Sequence, residues 1–201
     1  MRWNPIPFWS GMDVYIIGGG PSLIGFDWNR LTNKLTLGCN DAYQLGPAIC
    51  KACVFGDLKW FAYHDEELAK FPNPRFTNEP SLYVHSPDWL LCMRREGNGL
   101  HQNALGWNGN TGAVAINLAL VLGAQRVFLL GYDMKAPSKN LVNWHVHNVS
   151  KPNMNSYERF KRGMESVKNN LPSVFPGREI INIGPDSDLD CFPKEPIDKF
   201  L

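Results

Sequence analysis

At 201 residues, with 44% hydrophobic and 19% charged side chains, the chain carries enough apolar surface for one domain with its own core, and disorder is excluded. A net charge of +1 gives no electrostatic case for duplex DNA as the main partner. No apolar run reaches the length of a membrane span, the first residues lack the basic and apolar regions of a signal peptide, and the five cysteines show no framework spacing; the expected location is therefore cytoplasmic.

Residues 1–12 read as an extended arm, because Pro5 and Pro7 exclude a helix. Val14 to Ile17 is a first strand that breaks into Gly18-Gly19-Gly20-Pro21-Ser22. Glycines there permit a tight turn and close approach of another group, and Pro21 suits the first position of a helix whose N-terminus would seat a phosphate. The other reading is a turn that needs glycine only for packing. Residues 23–31 read as a short helix or loop. Leu35 to Cys39 is a second strand ending at Asn40-Asp41, and Ala52 to Phe55 a third ending at Gly56-Asp57. Lys59 to Lys70 reads as a helix with Trp60, Phe61 and His64 on its apolar side.

Residues 71–110, rich in proline early and glycine late, predict a long and partly irregular, lid-like insertion with a weak strand at Leu82 to His85. Ala113 to Leu122 is apolar nearly all round and predicts a buried helix, opened by Asn110-Thr111-Gly112, whose free amides form a second anion seat besides their capping role. Arg126 to Leu130 is a strand ending at Tyr132-Asp133. A loop over residues 134–155 carries His145 and His147, Tyr157 to Asn170 reads as an amphipathic helix with a basic outer side, and Glu179 to Ile183 is a last strand. Strands alternating with helices predict a Rossmann-like α/β fold, a mostly parallel sheet with helices on both faces and the insertion around residues 71–110, in a single domain.

In such sheets ligands bind outside the carboxyl ends of the strands, and the residues there are nearly all small or polar. Asn40 and Asp41 suit a ribose or base, or else form an Asx turn. Asp57 and Asp133 suit a cation held with phosphate oxygens, or else cap the next turn. His145 and His147 suit general acid–base work, metal binding or plain solvation. The C-x-x-C of Cys50 and Cys53 lacks further ligands for zinc, and the Asp186-x-Asp188-x-Asp190 run lacks the glycine and glutamate of a calcium loop.

The succession I-I-G-G-G-P-S-L, C-N-D-A-Y, G-N-T-G-A-V-A-I-N-L-A-L-V-L-G-A and V-F-L-L-G-Y-D-M, followed by a His-containing loop, resembles uncharacterised phage proteins. These are similar in turn to bacterial sialyltransferases of glycosyltransferase family 42 and to the hydroxymethylpterin pyrophosphokinase-like family. The resemblance covers residues 14–57 and 110–192 and implies a nucleotide-dependent transferase located in the host cytoplasm. Gly18, Gly19, Gly20, Pro21, Ser22, Asn40, Thr111 and Gly112 would hold a nucleotide or nucleotide-sugar of CMP type, with Tyr132 and Asp133 lining the same site. His147, or His145 beside it, would deprotonate an acceptor hydroxyl. Where the sialyltransferases carry an asparagine, this chain has Gly19, so a direct contact to the leaving phosphate is lost. The pyrophosphokinase-like relatives imply instead ATP with Mg²⁺, served by Asp41, Asp57 and Asp133. A non-catalytic nucleotide-binding module is the third reading. The acceptor is not specified, and a homo-oligomer is compatible with every reading.

Overall fold

The structure, a computed structural model, describes residues 4–135, 143–145, 154–184 and 186–201. His147 lies outside the described residues. Among the described residues nine strands and three α-helices follow one another as β1 (Asp13–Ile17), β2 (Thr36–Cys39), β3 (Ala52–Phe55), α1 (Leu58–Lys70), β4 (Arg75–Thr77), β5 (Leu90–Cys92), β6 (Arg95–Glu96), β7 (Leu105–Gly106), α2 (Thr111–Val121), β8 (Arg126–Leu130), α3 (Met154–Val174) and β9 (Glu179–Asn182). Seven strands form one parallel sheet in the order β5-β4-β3-β2-β1-β8-β9, and β6 pairs with β7 in a separate ribbon. The chain leaves β1 towards β2 and later returns to β8 on the other side. The order therefore reverses at β1, which is where an open α/β sheet forms a crevice.

Side chains on a strand alternate between faces, so each strand feeds two cores. Val14, Ile16, Val127 and Leu129 pack with α2 and with Met164 and Val167 of α3. Tyr15, Ile17, Phe128 and Leu130 turn to the opposite face, covered by Leu23, Leu31 and Ile49 from short connections, while Cys53 and Phe55 meet Trp60, Phe61 and Leu68 of α1 there. Both faces are thus covered, which is why the strands read as nearly continuous apolar runs. The guanidinium of Arg126 donates to both oxygens of Asp13, through Nε to Oδ1 at 2.7 Å and Nη2 to Oδ2 at 2.5 Å, and pins the starts of β1 and β8 in register.

α2 has a single polar side chain in its buried centre, Asn117, fully enclosed. Its amide accepts from the N–H groups of His101 and Gly106 and donates to the His101 carbonyl, tying the segment before α2 to the core. The stretch 71–110 is more ordered than its composition predicts. It adds β4 and β5 to the edge of the main sheet, while residues 82–85 form no strand: Pro80–Leu82 is a 3-10 turn and bends follow. β4 is three residues long between prolines and shows no alternation to read; pairing with β3 creates it. Residues 23–31 hold only 3-10 turns, and no helix of the described residues is long and apolar enough to cross a membrane.

Candidate functional site

A cavity of about 470 Å³ opens over the carboxyl ends of β1, β2, β3 and β8, within the range of small-molecule sites. The structure brings together there nearly every residue singled out in the sequence: Gly18 to Pro21 after β1, Asn40 and Asp41 after β2, Asp57 after β3, Asn110 to Gly112 at the start of α2, Tyr132 and Asp133 after β8, and His145 from the late loop. Ser22 does not line it.

On the β1–β8 side the crevice is filled by the protein itself. The amides of Gly18 and Gly20 donate to the carbonyls of Leu130 and Gly131 at 2.8 Å. A Cβ on Gly18 would stand 2.6 Å from the Gly131 carbonyl oxygen, and one on Gly20 would fall on Asp133 Oδ1. Asp133 in turn accepts from the Ser22 N–H at 2.8 Å and from its hydroxyl at 2.6 Å. Burial raises the Asp133 carboxyl above its ordinary value, and the two bonds from Ser22 offset part of that rise. These facts bear on three expectations. No α-helix follows the glycines, only the turn Pro21–Leu23, so no helix dipole points at a ligand there. The amides of Gly18, Gly20 and Ser22 are engaged inside the protein rather than offered to a phosphate. Asp133 is a clamp between β8 and the glycine turn, each oxygen accepting from Ser22. Tyr132 closes the neighbouring gap: its hydroxyl donates to the Gly112 carbonyl at 3.0 Å, and its ring leaves no room for a Cβ at Gly112.

The β2 side differs. Asn40 has the left-handed backbone angle φ = +51°, uncommon for a residue with a side chain, and its Oδ1 is buried without a hydrogen-bond partner. Asp41 is buried as well; its Oδ2 accepts the Trp60 indole N–H at 3.0 Å and lies 3.7 Å from His145 Nδ1, while its Oδ1 lies 3.3 Å from His64 Nε2. His145 is set by its neighbour. Trp144 donates its backbone N–H to the Gly19 carbonyl at 3.1 Å and its indole N–H to that of Gly18 at 2.7 Å, and packs against Trp28. His145 Nε2 then lies 3.6 Å from where a Cβ of Gly19 would stand. Of the two histidines left open by the sequence, His145 is the one seen in the cavity wall. Asp57 caps α1 through the Trp60 N–H at 2.9 Å, and Asn110 caps α2 through the Ala113 N–H at 2.8 Å.

The rest of the wall is made of residues that nothing in the sequence assigned to a site. Lys59 at the start of α1, Lys135 after β8 and Arg159 on α3 put three cations at the cavity, beside Trp107, Tyr157 and Phe160. Lys135 is paired with Asp186 and faces Asp188 at 4.0 Å. Trp107 is held from behind: the Arg95 guanidinium stacks 4.2 Å from its ring centre and bonds to the carbonyls of Gly56 and Asn78 and to Glu79. Burial and the nearby Asp133 raise the Tyr157 phenol. The one signal in the sequence was the basic side of the α3 helix, which reads equally well as a solvated face.

Asp41, Asp57 and Asp133 do not converge: among the described residues no three His, Cys, Asp or Glu side chains group to hold a metal ion. Burial pushes the Cys39 and Cys50 thiols up to about 12, so neither is a nucleophile at neutral pH. No protein-family model, curated protein or solved structure matches the chain.

Proposed function

We propose that the cavity binds a nucleotide or nucleotide-sugar and that the chain is a glycosyltransferase-like transferase in which His145 is the base. The observation that carries this reading is the pair formed by the buried Asp41 carboxylate and His145 in a cavity that also holds Lys59 and Arg159. A carboxylate near Nδ1 favours a proton there, which leaves Nε2 as the acceptor towards the cavity. Asp41 then stabilises the imidazolium that forms when His145 takes the proton of an acceptor hydroxyl. The acceptor oxygen bonds to the sugar carbon as the bond to the nucleotide phosphate breaks, and the phosphate leaves with the electron pair. Lys59, Arg159 and the first amides of α2 face that charge; they are the cavity groups suited to a phosphate, in place of the glycine-turn amides. Asn40 holds a strained backbone and an unsatisfied amide in reserve for the ribose or base.

The test is transfer from CMP- and UDP-sugars to a panel of hydroxyl acceptors, with His145→Ala and His147→Ala measured separately. Loss of transfer in His145→Ala with donor binding retained supports the assignment. Unchanged turnover in His145→Ala refutes it. The ATP and Mg²⁺ reading has one observation in favour, the cations at the cavity, and predicts that ATP raises the melting temperature only when Mg²⁺ is present.

A further inference from the structure

Asp41 is a carboxylate out of reach of water, and its stability requires donors on both oxygens. Trp60 supplies one to Oδ2. Gln44 Nε2 donates to Oδ1 at 3.4 Å. His64, itself buried in α1, makes a charge contact with the same oxygen, its Nε2 3.3 Å away, and has Nδ1 3.0 Å from the Tyr43 hydroxyl; its ring stacks on Trp60 with centroids 4.5 Å apart. Tyr43, His64, Asp41 and His145 form a continuous line from behind α1 to the cavity. The other ionisable groups that face it are Cys53 from β3, Glu67 and Tyr63 from α1, and Lys59 and Asp57 where α1 meets the cavity.

We infer that His64 is a positioning residue, held by the Tyr43 hydroxyl as the neutral tautomer with its proton on Nε2, so that the full charge of Asp41 is directed to His145. A hydroxyl that donates to Nδ1 occupies the lone pair a second proton would need. His64 then faces Asp41 as a neutral ring and leaves its charge in place. Were His64 an imidazolium, its charge would cancel that of Asp41, and His145 would lose the partner that makes it a stronger base. Burial raises the Tyr43 phenol, which keeps its proton available to donate. The inference rests on His145 being the base, but the tautomer and the coupling can be read without any turnover.

The experiment is ¹⁵N–¹H NMR of the side-chain histidines across the pH range, in the intact chain and in Tyr43→Phe, His64→Gln and the double variant. In the native chain the His64 signals should stay those of the Nε2–H tautomer while His145 titrates. Tyr43→Phe removes only a hydroxyl; it should let His64 take a second proton and lower the His145 midpoint by about one pH unit. Glutamine is neutral like the native ring and takes no proton, so His64→Gln and the double variant should return the midpoint to the native value. An imidazolium or Nδ1–H His64 in the native chain would overturn the inference, as would a His145 midpoint that ignores Tyr43→Phe. If the midpoints move as described while His145→Ala still transfers, the coupling stands and the assignment of His145 as the base fails.

Discussion

The two halves of the cavity wall face the same space and are built on opposite terms. Between β1 and β8 the bonds run within the protein: the Gly18 and Gly20 amides on carbonyls, Ser22 on Asp133, Tyr132 on Gly112. After β2 the chain keeps a left-handed asparagine with an orphaned oxygen and a buried carboxylate among one indole, one amide and two imidazoles. Satisfied groups make a rigid frame, whereas costly ones persist when a function retains them. The first half is the mounting, and the second half is where chemistry is expected.

The largest effect that separates the halves is His145→Ala. Loss of a general base should reduce transfer by about 10²–10⁴-fold while the melting temperature hardly moves, compared by turnover assay and calorimetry. Next is a pair of glycines in the same turn. Gly20→Ala pushes a methyl onto Asp133 and to 2.6 Å from the Gly131 carbonyl, and should cost about 3 kcal/mol in a denaturant titration. Gly19→Ala meets the ends of two side chains, Asn143 at 3.0 Å and His145 at 3.6 Å, and should fold normally yet weaken nucleotide binding. Equal behaviour of the two would erase the contrast between frame and site.

Asp133 gives a smaller effect with a sign. Asp133→Ala should cost about 2 kcal/mol through the bonds lost from Ser22, while Asp133→Asn can keep both. Because the folded carboxyl titrates above its ordinary 3.8, the native state binds that proton more tightly. Its contribution to stability is therefore fully present below that value and declines as pH rises through the folded value. Urea midpoints collected from about pH 4 to pH 7 should show this decline in the native chain and lose it in Asp133→Asn. The smallest effect is Asn40→Gly, which relieves the positive φ and removes the orphaned oxygen. It should stabilise the fold by about 1 kcal/mol and weaken ligand binding, the signature of a residue kept at the expense of stability.

The regular part of this architecture was legible because periodicity reports it. β1, β3, β8 and α2 are runs whose apolar character follows directly from burial on both faces. β4 and β5 were not legible, since three residues between turn formers carry no pattern until a neighbour pairs with them. The strand ends pointed correctly to one cavity, but a residue type does not say whom it will bond. Asp133 looks like a ligand in sequence and proves to be a partner of Ser22, 111 positions away. Lys59 and Arg159 look like solvated helix charges, and only the packing of α1 and α3 around the strand ends brings them to the cavity.

The most direct test of a phosphate-bearing ligand here is calorimetric titration of CMP against cytidine into the native chain and into a Lys59→Ala/Arg159→Ala variant. The account predicts that CMP binds measurably tighter than cytidine in the native chain and that the variant removes the difference. Equal affinity for the two in the native chain, or no binding of either together with none of ATP, would contradict it.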